Sequence, residues 1–191
     1  MRVRRIMRGR NAVTNIVIAG LGGQGIVTAA DILTRAVFAA GHDVKQSEIH
    51  GMSQRGGSVS SDVRFGERVH SPMVPARAAD FLVITESTQI GPNRHRLKAG
   101  GRLITPDAAP FLFKDDDPGG AAKAARMINV ALLAVLSAHL DVPEGCWVDA
   151  IQECLPPALH EDNRRMFLHA RQVERIMGGL NALSRPSQSE G

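Results

Sequence analysis

The chain has 191 residues, 43% of them hydrophobic and 22% charged, a balance that excludes a disordered chain and leaves enough apolar material for a core. Two cysteines cannot hold a four-cysteine iron–sulfur cluster or a four-cysteine zinc, and their spacing, Cys146 and Cys154, is not C-x-x-C. The formal charge of +4 is local: Arg2, Arg4, Arg5, Arg8 and Arg10 crowd the first ten residues, and without them the balance is 18 basic to 19 acidic residues. With no tyrosine, one tryptophan and a near-neutral body, the chain lacks the basic face and aromatic platform of a nucleic-acid binder. No apolar run approaches the ~20 residues of a membrane span, and no apolar stretch follows the N-terminal arginines as in a secretory signal. A cytoplasmic protein with reduced thiols is the expectation.

In chain order, residues 1–13 read as a flexible basic arm. Ile16 to Ala19 is an apolar run that stops at four glycines in six positions, and an apolar helical face follows from Gln24 to Ala40, with Gly41 just past its end. His42 to Ser47 reads as a second strand, so strand, helix and strand form a βαβ unit with a right-handed crossover. Residues 48–57 are a polar, glycine-rich loop. Ser58 to Phe65 alternates, Gly66-Glu67 can turn the chain and Arg68 to Ser71 can return, which predicts an antiparallel hairpin over about 57–71. Asp80 to Thr85 and Arg102 to Thr105 read as strands buried in the core. Between them, Glu86 to Leu97 is a helical stretch interrupted by Gly91-Pro92.

After the proline-rich, acidic loop around Asp115–Asp117, residues 119–140 form a helix apolar nearly all round. Two further helices are expected over 148–155 and 161–183, and 184–191 is a flexible polar tail. The expected architecture is α/β: a three-layer, Rossmann-like unit over 14–183 with a mostly parallel sheet, the hairpin, and C-terminal helices.

Two loops carry the candidate chemistry. Gly20, Gly22 and Gly25 spell G-x-G-x-x-G after a strand and before a helix, where backbone N–H groups and the helix dipole favour an anion. A dinucleotide site also needs an acidic residue about 20 residues on, and Glu48 falls somewhat late for that role. Gly23-Gln24 also makes the turn more polar than usual, and no G-K-[ST] follows. Dinucleotide binding, a phosphate or partner contact, and a purely structural turn all remain open. The loop from His50 through Ser53, Gln54, Arg55 and Gly56 offers an imidazole, a hydroxyl, an amide and a guanidinium at the same expected sheet edge, or is simply a surface loop. No nucleophile–base pair and no metal-ligand spacing accompanies either loop. Glu86, at the end of a core strand, is a site carboxylate or a cap for the next helix. Asn129 inside an apolar helix bonds a loop backbone or marks a subunit contact.

Taken together, Ile18-Ala-Gly-Leu-Gly-Gly-Gln-Gly-Ile26 and Gln46-Ser-Glu-Ile-His-Gly-Met-Ser-Gln-Arg-Gly-Gly-Ser-Val59 resemble the gamma-type domain of 2-oxoacid:ferredoxin oxidoreductases. The Glu48–Ser58 version is most similar to the beta subunit of indolepyruvate ferredoxin oxidoreductases, and the likeness extends over residues 14–182. It implies a subunit that binds no cofactor alone. A larger partner subunit would carry thiamine diphosphate, Mg and the iron–sulfur clusters, and would pass electrons to ferredoxin. Coenzyme A would be the cosubstrate for oxidative decarboxylation of an aryl 2-oxoacid. Gly20, Gly22, Gly23, Gln24, Gly25, His50, Ser53, Gln54, Arg55 and Gly56 would then face the partner's active site, with Glu86 and Asn129 as further candidates and no catalytic residue on this chain. A homodimer is an allowed assembly. The competing readings are a stand-alone nucleotide-binding oxidoreductase and a non-catalytic assembly subunit.

Overall fold

The computed structural model describes residues 12–51, 56–109 and 120–183, the side chains of 120–125 and 178–183 excepted. Most of the basic arm, the acidic Asp115–Asp117 loop and the tail from 184 lie outside the described residues. Five strands, β1 (Thr14–Leu21), β2 (Asp43–His50), β3 (Ser58–Gly66), β4 (Ala79–Ile84) and β5 (Leu97–Ile104), form one sheet in the order β2-β3-β1-β4-β5. The helices are α1 (Ile26–Ala39), the single turn α2 (Ile90–Asn93), α3 (Gly120–Ser137), α4 (Glu144–Cys154) and α5 (His160–Leu183).

β1 pairs in parallel with β4, and β4 with β5; β3 is antiparallel to both of its neighbours, β1 and β2. Four strands therefore run one way, as a mostly parallel sheet requires. The antiparallel strand is where alternation put it, but its partners are not. The hairpin expected over 57–71 does not form, because 67–71 is irregular. Instead β2 and β3 make the hairpin, with Asp43 opposite Gly66 and His50 opposite Val59, and β3 slots between β2 and β1. β2 also runs three residues further than its apolar pattern indicated, so Glu48 and His50 are strand residues and the loop begins at Gly51.

Strand alternation divides the core. Ile16, Ile18, Val63, Phe65, Phe81, Val83 and Ile104 face α1, α3, α4 and α5 in the larger cluster, where Trp147, Leu132 and Phe167 are fully buried. Each fully buried side chain of that kind contributes roughly 1.5–3 kcal/mol. Val17, Ala19, Leu82 and Ile84 face the opposite side, where the described residues that pack on them are Val74, Ala78, Ala79, Ile90 and β5's Leu97 and Leu103. The third layer is thin for a sequence reason: Gly91-Pro92 breaks the stretch after β4 into a 3-10 turn, one α turn and another 3-10 turn.

Polar groups anchor this thin side. Asp62, fully buried on β3, accepts from Arg96 at 2.5 Å and from the Val74 N–H at 2.8 Å. Asp80 at the start of β4 holds Lys98 and the Asn15 N–H, the latter at 2.8 Å. On the other side, α1 closes on a glycine as expected: Gly41 has φ +89, and His42 N–H reaches the Val37 carbonyl at 3.2 Å.

Candidate functional site

Because β3 is antiparallel, its first residue lies at the same sheet edge as the last residues of β1, β2 and β4. That edge gathers the glycine turn, Gly51, Gly56-Gly57 and Thr85-Glu86. The turn is held from inside. Gln24 N–H bonds the Leu21 carbonyl at 3.1 Å, and Gln24 Oε1 accepts from the Leu21 N–H at 2.9 Å and from Thr85 Oγ1 at 2.7 Å. Thr85 stands where a side chain on Gly20 would go: a Cβ there would lie 2.0 Å from Thr85 Oγ1. Gly23 and Gly25 have φ +94 and +72, a conformation that other residues adopt only at a cost.

Asn129, 7% exposed on α3, completes the scaffold. Its Nδ2 donates to the Gly25 carbonyl at 3.1 Å, the first of the two roles that its polarity within an apolar helix allowed. The two sequence motifs meet directly: Gly22 N–H donates to the Gly57 carbonyl at 2.9 Å, and Gly51 N–H to the Ser58 carbonyl at 2.9 Å. Above the turn, α1 starts at Ile26 with Gly25 as its N-cap, with no side-chain cap and no acidic residue in its first turn. Its first N–H groups are thus left to whatever approaches the rim, and the dipole there favours negative charge.

The dinucleotide arrangement is not the one built. Glu48 pairs across to Ser61 on β3, two strand spacings or about 9.6 Å from β1, and its carboxylate meets His50 Nε2 at 3.2 Å. An acidic residue that should hold a ribose beside the glycine turn is displaced by a whole strand. His50, for the same reason, ends β2 and faces Glu48. Glu86 is the N-cap residue of the following 3-10 turn, yet its side chain makes no capping bond, so the capping role does not hold. It stands half-buried beside Thr85 at the end of β4. Ser53, Gln54 and Arg55 lie outside the described residues; Gly56, exposed with φ +69, belongs to the described rim.

Thr85 is the residue that sequence reasoning missed. A threonine closing an apolar strand looks like strand chemistry, and only the Gly20 contact marks it as the brace of the turn. The two cysteines are unpaired, and burial pushes the Cys154 thiol up, away from thiolate reactivity. No group of three metal-ligating side chains occurs among the described residues.

Residues 15–173 match the family model described as pyruvate ferredoxin/flavodoxin oxidoreductase, and the chain belongs to that family. It is 50% identical over 91 residues to the indolepyruvate oxidoreductase subunit IorB of Thermococcus kodakarensis, a stretch that is 48% of this chain and 45% of that one. The match therefore spans about half the length of that relative. The 2-oxoglutarate synthase subunit KorC of Methanothermobacter marburgensis is 27% identical over 184 residues, 85% of this chain and 96% of that one. The fold is that of the keto/oxoacid ferredoxin oxidoreductase gamma subunit from Geobacter sulfurreducens, with a TM-score of 0.68 at 21% identity, covering 87% of this chain and 98% of that one. It also recurs within 31% of the 2-oxoglutarate:ferredoxin oxidoreductase chain of Magnetococcus marinus, whose structure holds 2-oxoglutarate, coenzyme A and succinyl-CoA, again at a TM-score of 0.68.

Proposed function

We propose that residues 14–183 form the gamma-type unit of a cytoplasmic, thiamine-diphosphate-dependent 2-oxoacid:ferredoxin oxidoreductase, with indolepyruvate or a related aryl pyruvate as substrate. The complex decarboxylates the oxoacid, transfers the acyl group to coenzyme A and delivers the electrons to ferredoxin. Thiamine diphosphate, Mg and the iron–sulfur clusters belong to the larger partner subunit, and two cysteines on this chain agree with that division.

The observation that carries this reading is the Gly22–Gly57 hydrogen bond, which joins the two family motifs into one rim around the uncapped start of α1. A rim with no nucleophile–base pair among its described residues can close a partner's active site but not replace it. Its own contribution is binding. The first-turn N–H groups of α1 and the Arg55 guanidinium would receive a coenzyme A phosphate or the substrate carboxylate, and the bonds of Gln24, Thr85 and Asn129 hold the turn in place.

The test is reconstitution. Co-expressed with the larger subunit, the chain should support coenzyme A-dependent reduction of ferredoxin across a panel of 2-oxoacids, with aryl pyruvates preferred. Arg55→Ala should raise the KM for coenzyme A or the oxoacid about tenfold while the complex still assembles. Unchanged kinetics in an intact complex would reduce the loop to an assembly element. Tight NAD(H) binding by the isolated chain would overturn the subunit reading altogether.

A further inference from the structure

Far along the chain from the glycine rim, the turn Pro75-Ala76-Arg77-Ala78 carries an anomaly. Ala78 N–H closes it on the Pro75 carbonyl at 3.2 Å, and Arg77 at its third position has φ +58. Among the described residues it is the one non-glycine with a positive φ. That position in a type II turn takes glycine or asparagine, so an arginine there is held at a conformational cost. Nothing among the described residues repays it: the side chain is exposed and makes no ion pair or hydrogen bond with them.

Its surroundings are cationic. Arg77 N–H donates to the His95 carbonyl at 3.2 Å; the next residue back, Arg94, is also exposed and pairs with no carboxylate among the described residues. Arg64 donates to the Ser71 carbonyl at 2.9 Å, the Met73 carbonyl at 3.2 Å and Asn15 Oδ1 at 2.8 Å, so among the described residues its charge too meets no carboxylate. The two acids beneath, Asp62 and Asp80, are committed to Arg96 and Lys98. Amid these arginines Met73 is 56% exposed. An exposed methionine whose carbonyl holds one arginine, four residues from a second, has the composition of a protein interface, apolar at the centre and polar at the rim.

We propose that the patch of Met73, Arg77, Arg94 and Arg64 is a docking surface for an acidic face of the larger subunit of the same complex. The choice of occupant rests on the subunit reading above; the patch itself rests on the strained arginine and the uncompensated charge. A protein fits better than a nucleic acid because the centre is apolar and the folded body carries no excess of positive charge.

The diagnostic variant is Arg77→Gly, because strain and binding then move in opposite directions. The isolated chain should melt about 2–4 °C higher once the turn is relaxed. Its dissociation constant for the larger subunit should rise about tenfold, with a shallower dependence on salt. Arg94→Glu and Met73→Asp should weaken the complex without that gain in Tm. Affinity and salt slope unchanged in all three variants would overturn the proposal. So would unchanged assembly with a raised KM for ferredoxin, or salt-sensitive binding of duplex DNA by the patch. A complex that depends on Arg77 but oxidises no 2-oxoacid would sink the functional reading and uphold the patch. Failure of the wild-type chain to form any complex would sink both.

Discussion

At Gly20 the limits of composition are plain: the position is glycine because Thr85 occupies its side-chain space, not because its backbone needs a rare conformation. Gly23 is the opposite case, with open space around it and φ +94. Sequence alone lists both as members of one fingerprint and cannot separate a packing glycine from a turning one. The distinction has a measurable form. Gly20→Ala should cost about 1–3 kcal/mol in urea unfolding, because the new methyl meets Thr85, Ile26 and Gln24 at once. Thr85→Ser would not help, since the clash is with the hydroxyl oxygen; Thr85→Ala in the Gly20→Ala background should recover part of the loss. Additive losses in the double variant would show that the two residues do not share the space.

At the scale of elements, periodicity located four of the five strands within about three residues, and the glycine after α1, but it began β5 at Arg102 where the strand starts at Leu97, and it did not say who pairs with whom. The alternation of Ser58 to Phe65 states that this is a strand with one apolar face; it is silent on whether the neighbour is the preceding or the following segment. Long-range partners decided it: Asn15, on β1, accepts from Arg64 on β3, while Asp43, on β2, accepts from the Val69 N–H in the segment expected to pair. The same holds for Asp62. Its carboxylate, buried with Arg96 only 11% exposed, stitches β3 to the thin layer. Asp62→Ala, which strands Arg96, should destabilise the chain by about 3–5 kcal/mol, whereas exchanging both for apolar residues of similar size should cost far less. An equal cost for the single and double replacements would refute that account. At the candidate site, the glycine turn and Asn129 were legible because their residue types are out of place in their setting. Thr85 and the displacement of Glu48 from the glycine turn were not, since both depend on a strand order that no local pattern encodes.

Across the whole molecule the helical side is closed by an ionic clamp from three elements. His139, just beyond α3, donates to Glu174 of α5 at 2.9 Å, and Arg102 of β5 reaches the same carboxylate at 3.1 Å. The hydrogen bond from His139 comes first among the causes that hold the Glu174 carboxyl below its ordinary value near 4.5, against burial that pushes it up. A depressed folded-state value means that unfolding takes up a proton as the solution is acidified. The clamp's stabilisation is therefore complete above the ordinary carboxylate value and is lost as pH falls through the depressed one. The gap in Tm between wild type and Glu174→Gln should be widest near neutrality and narrow below about pH 4.5, as followed by calorimetry. A gap that does not change with pH would remove Glu174 from the acid response.

The insertion of β3 also dictates an order of events in folding. β1 and β2 run parallel with a full strand width between them, so β2 gains a hydrogen-bonded neighbour only once the chain has doubled back as β3, and the β2–β3 hairpin joins the sheet only through β3. A conventional strand–helix–strand unit joins its two strands directly; this one is completed only when β3 pairs residues such as Thr14 and Phe65, some fifty positions apart. The amides of β2 should thus gain protection from exchange no earlier than those of β3, and the glycine rim, closed by Gly57 just ahead of β3, should form in the same step rather than wait for a partner.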